Sequence, residues 1–468
     1  MRCFLIAALF PFFGSVGIAA ELRAGAYAQD ITPLKFPISV NGNMTDKKAT
    51  SAHDPLHARC LVLDDGTTKI ALVVVDSCLI PREIHDAAKA LASKKTGIPA
   101  SNMLISATHT HTAPTVTGAF QSDPDEAYVR FLTEKIAEGI EKAHARLAPA
   151  KAGWGSAMEP NQVFNRRWRM KPDVVNLDPF GGRTDKVKMN PGYRENNPGL
   201  LEPAGPTDPE LSVLSLRTAD DKPLALFANY SLHYVGDMPP LSADYFGVFG
   251  DRIGGILGSP APGFVGILSN GTSGDVNNVN FGGPAPPKRD IGERSRLVAE
   301  AVGQAAKKAA DTKYSSDITL AVAEKELEFK VRKPTAEEVK RAEEVLEKAR
   351  GRELKGVEEI YSRETVLIAK YPDTVKLKVQ AIRVGDLGIA AIPCEVFTEI
   401  GLEMKKKSPL KRTFTVSLAN GYNGYLPTPA QHALGGYETW RARSSYLEVN
   451  ASDTITPTVL DLLQQVAK

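Results

Sequence analysis

Residues 103–114 read MLISATHTHTAP, and the fold turns on how this stretch is read. Met103 to Ala107 is an apolar run with the length of a buried strand, and it gives way to a polar rim carrying His109 and His111. In extended backbone, residues i and i+2 point to the same side, so both imidazoles are expected to reach one pocket. Two of the chain's eight histidines therefore stand at the carboxyl end of an expected strand, where open α/β sheets place their ligands. A His-x-His pair alone is equally a polar-loop accident or a hydrogen-bonded core pair. A metal needs further ligands, and the rest of the chain has to supply them.

Working outward, the pattern is that of an α/β chain. Residues 58–64 (ARCLVLD) and 69–77 (KIALVVVDS) read as strands joined by the turn Asp64-Asp65-Gly66, hence antiparallel. The second is apolar on both faces, as a central strand should be. Residues 23–31 form an opening strand, and helical spacing covers 81–95 and 127–145, the latter with Val129, Leu132, Ile136 and Ile140 on one side. A strand follows, and then residues 160–206, rich in Pro, Gly, Asn and Arg, are too long to be idle connection in a compact domain. Further on come a hairpin (210–217 and 223–231), a helix (246–257), a strand (263–268) and a helix (291–309). Residues 334–350 make a charged helix with Thr335 and Glu338 placed as a capping box; its charges read as a solvated face. Strands at 376–384 and 387–392, a helix at 395–405 and a strand at 414–419 complete the walk.

The ends and the composition bound the function. Met1-Arg2, the apolar run to Phe13 and the small residues up to Ala20 describe a secretory signal peptide over residues 1–20. No later stretch approaches the ~20 apolar residues that span a bilayer, so a secreted or periplasmic protein without a transmembrane segment is expected, at most in transient contact with a membrane surface. A net charge of +2 leaves no electrostatic footprint for nucleic acid. Cys60, Cys78 and Cys394 remain beyond the leader, an odd number in apolar contexts, which reads as buried thiols rather than a disulfide framework. Sequons stand at Asn43, Asn229, Asn270 and Asn450.

Four more positions share the context of His109, each following an apolar strand or opening the helix after one: His233, Asp275, Glu395 and Tyr425. Each has a plainer reading. His233 is satisfied by a hydrogen bond, Glu395 by a helix N-terminus, and Tyr425 by packing in a Gly-Tyr-Asn-Gly-Tyr turn. Two histidines and a carboxylate are also what a catalytic zinc takes when it keeps a position open. Spacing alone reaches a metal hydrolase and stops there.

The segments AGAYAQDITP, ATHTHTAP, NYSLHYVGD, SADYFG, NGTSGDVNN, IPCEVF and ANGYNGYLPT occur in this order between about Ala24 and Tyr437. Together they resemble the catalytic domain of neutral ceramidases. The resemblance implies an α/β fold, a mixed-sheet single catalytic domain over residues 21–468 with helices packed on the sheets. It also implies a Zn2+ ion held by His109, His233, Glu395 and Tyr425, with His111, Arg166 and Tyr437 facing the substrate or the transition state. The implied activity is hydrolysis of the N-acyl amide bond of ceramide or a related lipid by metal-activated water, with Asp275 counted among the catalytic groups. Where the family carries serine, this chain has Asn277, so a serine nucleophile is ruled out there and the metal–water route remains. The family's C-terminal β-rich domain has no counterpart after the Tyr437 block. A zinc hydrolase of another polar amide or ester, or a binding protein on the same scaffold, are the alternatives.

Overall fold

The computed structural model describes residues 21–468; the leader read over residues 1–20 lies outside them. Three β-α-β units dominate. Lys69–Val75, the helix Arg82–Thr96 and Met103–Ala107 form the first, and Pro223–Tyr230, Asp244–Leu257 and Val265–Asn270 the second. Leu387–Ala391, Thr398–Lys407 and Arg412–Val416 form the third. In each unit the two strands pair in parallel, an arrangement that requires the chain to cross back, here through a helix.

The first two units lie at opposite edges of one eight-stranded sheet. Its order runs Val265–Asn270, Pro223–Tyr230, Glu210–Thr218, Ala148–Met158, Arg23–Asp30, His57–Asp64, Lys69–Val75, Met103–Ala107. The interior pairs are antiparallel, so the sheet is mixed. The third unit belongs to a four-stranded sheet with Leu320–Lys330 and Thr374–Val384.

Side-chain alternation decides what each sheet covers. In His57–Asp64, Leu61 and Leu63 face one apolar cluster while Cys60 and Val62 face another. Lys69–Val75 splits in the same way, with Ile70, Leu72 and Val74 against Ala71, Val73 and Val75. The first cluster joins the two sheets, for it also holds Ile382, Ile389, Phe414 and Val416 of the four-stranded sheet. Phe227 and Phe414 stack across the junction with ring centroids 6.0 Å apart. Helices cover the outer faces. Arg82–Thr96 and Glu126–Ala145 cover one end of the large sheet, and Asp244–Leu257 and Glu293–Ala309 the other. Ala451–Val466 and Thr398–Lys407 cover the small sheet. Among the described residues no helix is long and apolar enough to cross a membrane.

Several expectations are corrected. The helix read at 395–405 begins at Thr398, because Glu395 and Val396 pair in parallel with Tyr425 and Leu426 instead. The helices Gly356–Ala369 and Ala451–Val466 and the strand Leu320–Lys330 are additional to the reading above. Ala451–Val466 carries Pro457 in its interior, which reads as a breaker. That costs a helix about 3 kcal/mol. Burying Ile455, Val459, Leu462, Leu463 and Val466 against the small sheet offsets it, at roughly 1.5–3 kcal/mol per large apolar side chain. The capping box at Thr335 and Glu338 forms as read, closing Ala336–Lys348. Of the four sequons, Asn229 and Asn270 are buried, which leaves Asn43 and Asn450 reachable.

Candidate metal centre

The carboxyl ends of the three parallel units meet. Cys78 and His109 follow the two strands of the first unit, and His233 and Asp275 those of the second. Glu395 and Tyr425 follow those of the third. Backbone hydrogen bonds tie the ends together: Ala107 N to Leu418 O at 3.3 Å, Ser417 N to Asn270 O at 3.0 Å, and Gly274 N to Val396 O at 2.9 Å. This is the location at which parallel strands present ligand-binding side chains.

His109 and His111 do converge, with their Nε2 atoms 3.2 Å apart, but not by the alternation of an extended strand. The strand ends at Ala107, and His109 has φ 71, in the left-handed region. Leu418 (φ 55) and Asn420 (φ 64) share that conformation in the loop opposite. Non-glycine residues held this way cost of order 1–3 kcal/mol each and cluster at functional sites. Asn420 is fixed by the buried Lys89, whose Nζ donates to Oδ1 at 2.7 Å, and by Ile105 N at 3.2 Å. A side chain at Gly42 would collide with the His111 ring, so glycine is what lets this loop lie against the imidazole.

Donor atoms of His109, His233 and Glu395 all lie within 4.8 Å of one another, and all three side chains are buried. His109 Nδ1 donates to Cys78 O at 2.8 Å and His233 Nδ1 to Ser273 O at 3.1 Å. A carbonyl accepts only, so these bonds place a proton on each Nδ1 and turn both Nε2 atoms to the cluster, that of His233 towards Arg166 Nη1 as well. His109 Nε2 then faces Glu395 Oε2 at 3.1 Å, and that buried oxygen has no hydrogen-bond donor. Two acceptors aimed at each other in a dry site call for a cation between them. The other carboxylate oxygen is taken, since Tyr422 donates to Oε1 at 3.1 Å.

The electrostatics agree. Burial opposes a charge on His109, yet Glu395 beside it raises the imidazole well above its usual range, so the pair draws a cation between its two facing atoms, a proton on Nε2 or a metal ion in that proton's place. Burial and the positive His109 and Arg166 hold His111 and His233 well below theirs, so both stay neutral. Neutral imidazoles and an ionised carboxylate are the forms in which these groups bind a metal. Two histidines and a carboxylate, with their outer nitrogens held by carbonyls, fit zinc. Tyr425, buried, adds a phenol oxygen at the edge of the cluster, where it accepts from Arg166 Nη2 at 3.0 Å.

Arg166, expected to face substrate, has its donors engaged within the site. Nε donates to Glu438 at 3.0 Å, Nη2 also to Gly274 O at 2.9 Å, and Nη1 lies 3.2 Å from His233 Nε2. It is placed to hold His233 and Tyr425. Asp275 likewise supports the site from outside the donor cluster. Its carboxylate accepts from Thr398 N and Oγ1, both at 2.8 Å, and from Asn165 Nδ2 at 2.9 Å. Burial, only partly offset by these bonds, raises its pKa to about 6. It thereby anchors the helix that follows Glu395 to the short strand Phe164–Asn165, which immediately precedes Arg166. Tyr437 stands beside Tyr425, ring centroids 5.9 Å apart. Asn277 bonds Asn190 at 2.8 Å.

Three residues of the site lie outside the sequence reading. Glu438, fully buried, binds both Arg166 and Arg167. Tyr234 stacks on His111 at 3.7 Å and 13°, setting the plane of that imidazole. Tyr422 holds Glu395. Glu438 and Tyr234 adjoin Tyr437 and His233, and Tyr422 stands three residues before Tyr425, so closeness in sequence was the only signal. A cleft of about 390 Å³ lies beside Tyr437 and Trp440, walled by Met44, Val175, Leu177, Met189 and Val357 together with the polar Asn176, Asp185 and Lys188. Val175 and Leu177 come from the long 160–206 segment and are more than half exposed.

No protein-family model matches the chain. Among solved structures, the neutral ceramidase from Pseudomonas aeruginosa superposes with a TM-score of 0.70 at 19% identity, covering 95% of this chain and 74% of that one. A ceramidase solved in complex with C2 gives 0.68 at 17%, covering 95% and 75%. At these identities the likeness is one of fold.

Proposed function

We propose that this chain, whose fold is that of the neutral ceramidases, is an exported zinc-dependent amidohydrolase that cleaves the N-acyl bond of ceramide or a related N-acyl lipid. Residues 21–468 act as one hydrolase domain, and residues 1–20 direct export. The observation that carries the reading is the facing pair His109 Nε2 and Glu395 Oε2 at 3.1 Å, completed by His233. His109, His233 and Glu395 would hold zinc, with Tyr425 as a fourth donor. When bound, zinc supplies Lewis acidity, lowering the pKa of water towards ~7 and polarising an amide carbonyl.

The chain's own groups do the rest. His111, neutral and held flat by Tyr234, can take a proton from the attacking water and return it to the leaving amine. Tyr437 presents a phenol at the junction of cluster and cleft, its pKa raised by burial and by Glu395, and so remains a proton donor towards the developing oxyanion. Arg166 keeps Tyr425 and His233 in register and adds positive potential. Burial of the cluster excludes water and strengthens each of these interactions.

The cleft supports a lipid amide. An acyl chain laid over Met44, Val175, Leu177, Met189 and Val357 would cover apolar surface at roughly 0.8 kcal/mol per buried CH₂. Hydrolysis of N-acyl amides of increasing chain length is therefore expected to show KM falling several-fold per two added methylenes, with the gradient lost in a Val175→Asp/Leu177→Asp double variant. Equal or better turnover of small polar amides such as N-acetylated sugars or amino acids would sink the lipid assignment while leaving the zinc hydrolase standing.

A further inference from the structure

One block of the sequence, residues 242–247 (SADYFG), supplies no group to the donor cluster. It lies between the two segments that frame His111. On one side, the hydroxyls of Thr110 and Thr112 donate to Ser242 O at 2.8 and 3.0 Å, and Ser242 N donates to Thr112 O at 2.8 Å. On the other, the Asp244 carboxylate accepts from Val235 N at 3.1 Å and Gly236 N at 2.7 Å, besides Tyr245 N at 2.6 Å. The block is itself fixed, for Asp244 N donates to Ser242 Oγ at 2.9 Å and Ala243 N to Asp54 Oδ1 at 2.7 Å. Asp244 is 1% exposed and opens the helix Asp244–Leu257 with φ 58, a strained conformation for an aspartate. What the two segments enclose is a stack. The rings of His111 and Tyr234 lie 3.7 Å apart. A side chain at Gly236 (φ 78) would collide with the Tyr234 ring, as one at Gly42 would with His111. Imidazole and phenol are thus held between two glycine backbones.

We propose that Asp244 is a positioning residue for hydrolysis, pinning the Tyr234 segment to the His111 segment so that the stacked imidazole keeps one orientation. The proposal rests on the function proposed above for its effect on rate, and on the hydrogen bonds alone for its effect on His111. Without the carboxylate, the N–H groups of Val235 and Gly236 lose their acceptor, and an unpaired buried donor forces the segment to move until it finds another. Tyr234, whose ring rests on Gly236, moves with it, and His111 loses the plane it was stacked against. His233 is held separately, by its Nδ1 bond to Ser273 O at 3.1 Å, so the metal donors stay in place. Asp244 acts through Tyr234 and not at the reacting atoms.

The test compares Asp244→Gly and Asp244→Asn in the full chain by kinetics, metal content and histidine NMR. Glycine adopts φ 58 without strain, so that variant removes the carboxylate and relieves the backbone. Asparagine tolerates the same conformation and keeps one acceptor oxygen. In histidine-labelled protein the His111 ring signal, assigned by its absence in His111→Gln, is shifted upfield by the Tyr234 ring. Asp244→Gly is expected to move it in the direction that Tyr234→Leu does, with zinc content unchanged. Its kcat is expected to fall about 10–100-fold at nearly constant KM, and Asp244→Asn to recover part of that loss. Because both residues act on one imidazole, the Asp244→Gly/Tyr234→Leu double variant is expected to be no slower than the slower single one. Should Asp244→Gly not fold, Asp244→Asn is read by the same signal, expected to move part of the way. An unmoved His111 signal, losses that multiply in the double variant, or zinc lost in step with activity would each overturn the proposal. The NMR signal requires no hydrolysis, so a wild type that cleaves no amide would count against the proposed function and leave the role of Asp244 to the His111 signal.

Discussion

Glu395→Gln is expected to leave the chain folded and to remove both tight zinc binding and amide hydrolysis. The amide has the volume of the carboxylate and keeps an oxygen for the Tyr422 hydroxyl, so the turn at Glu395 and its pairing with Tyr425 persist. It lacks the charge that a dication needs beside two neutral imidazoles. Removing a group that merely orients a metal ligand costs about 10–100-fold in metal affinity. Loss of the one carboxylate in the cluster should exceed that. Chelator competition measures the affinity, and an unchanged far-ultraviolet circular dichroism spectrum certifies the fold. Retention of wild-type affinity would remove Glu395 from the ligand set.

Glu438→Ala is expected to produce the largest loss of stability of any single change at the site. Glu438 is fully buried, and its two oxygens separately hold Arg166 at 3.0 Å and Arg167 at 2.6 Å, both nearly as buried. Deleting one partner of a buried pair leaves charge without compensation, at about 3–5 kcal/mol. Here two guanidiniums are left, against a total stability of about 5–15 kcal/mol. Arg167 would keep only its bonds to Gly435 O and Gln431 O, and Arg166 would lose its anchor beside Tyr425. Urea unfolding of Glu438→Ala and Glu438→Gln measures the effect. The alanine variant should fall by several kcal/mol and the glutamine variant by less. A loss within about 1 kcal/mol for both would show the arginines to be solvated rather than paired.

Much of the fold was legible because its signals are local. Lys69–Val75 and Met103–Ala107 are apolar on both faces because a cluster lies on each side of them, and runs of that kind read as strands without further help. Pro457 illustrates the opposite case, where long-range packing overrides a local breaker. The His-x-His pair was legible as a pair but not in its geometry, since the left-handed turn at His109 is imposed by the strand ends around it. Glu395 illustrates the same limit: next to an apolar run it reads as the start of a helix, and only its partner Tyr425, thirty residues on, makes it a strand. The support of the site was least legible. Glu438, Tyr422, Tyr234 and the backbone carbonyls of Cys78 and Ser273 act through contacts between distant segments, which no periodicity records. Arg166 shows that naming a residue and knowing what it faces are separate problems.

Metal analysis of the purified chain, with hydrolysis of an N-acyl amide followed in the same samples, tests the central claim most directly. One zinc per chain should co-purify. Exhaustive chelation should remove metal and activity together, and one equivalent of zinc should restore both, in wild type but not in His109→Ala. A metal-free chain that hydrolyses the amide at the full rate, or a His109→Ala chain that keeps its zinc and its activity, would contradict the account.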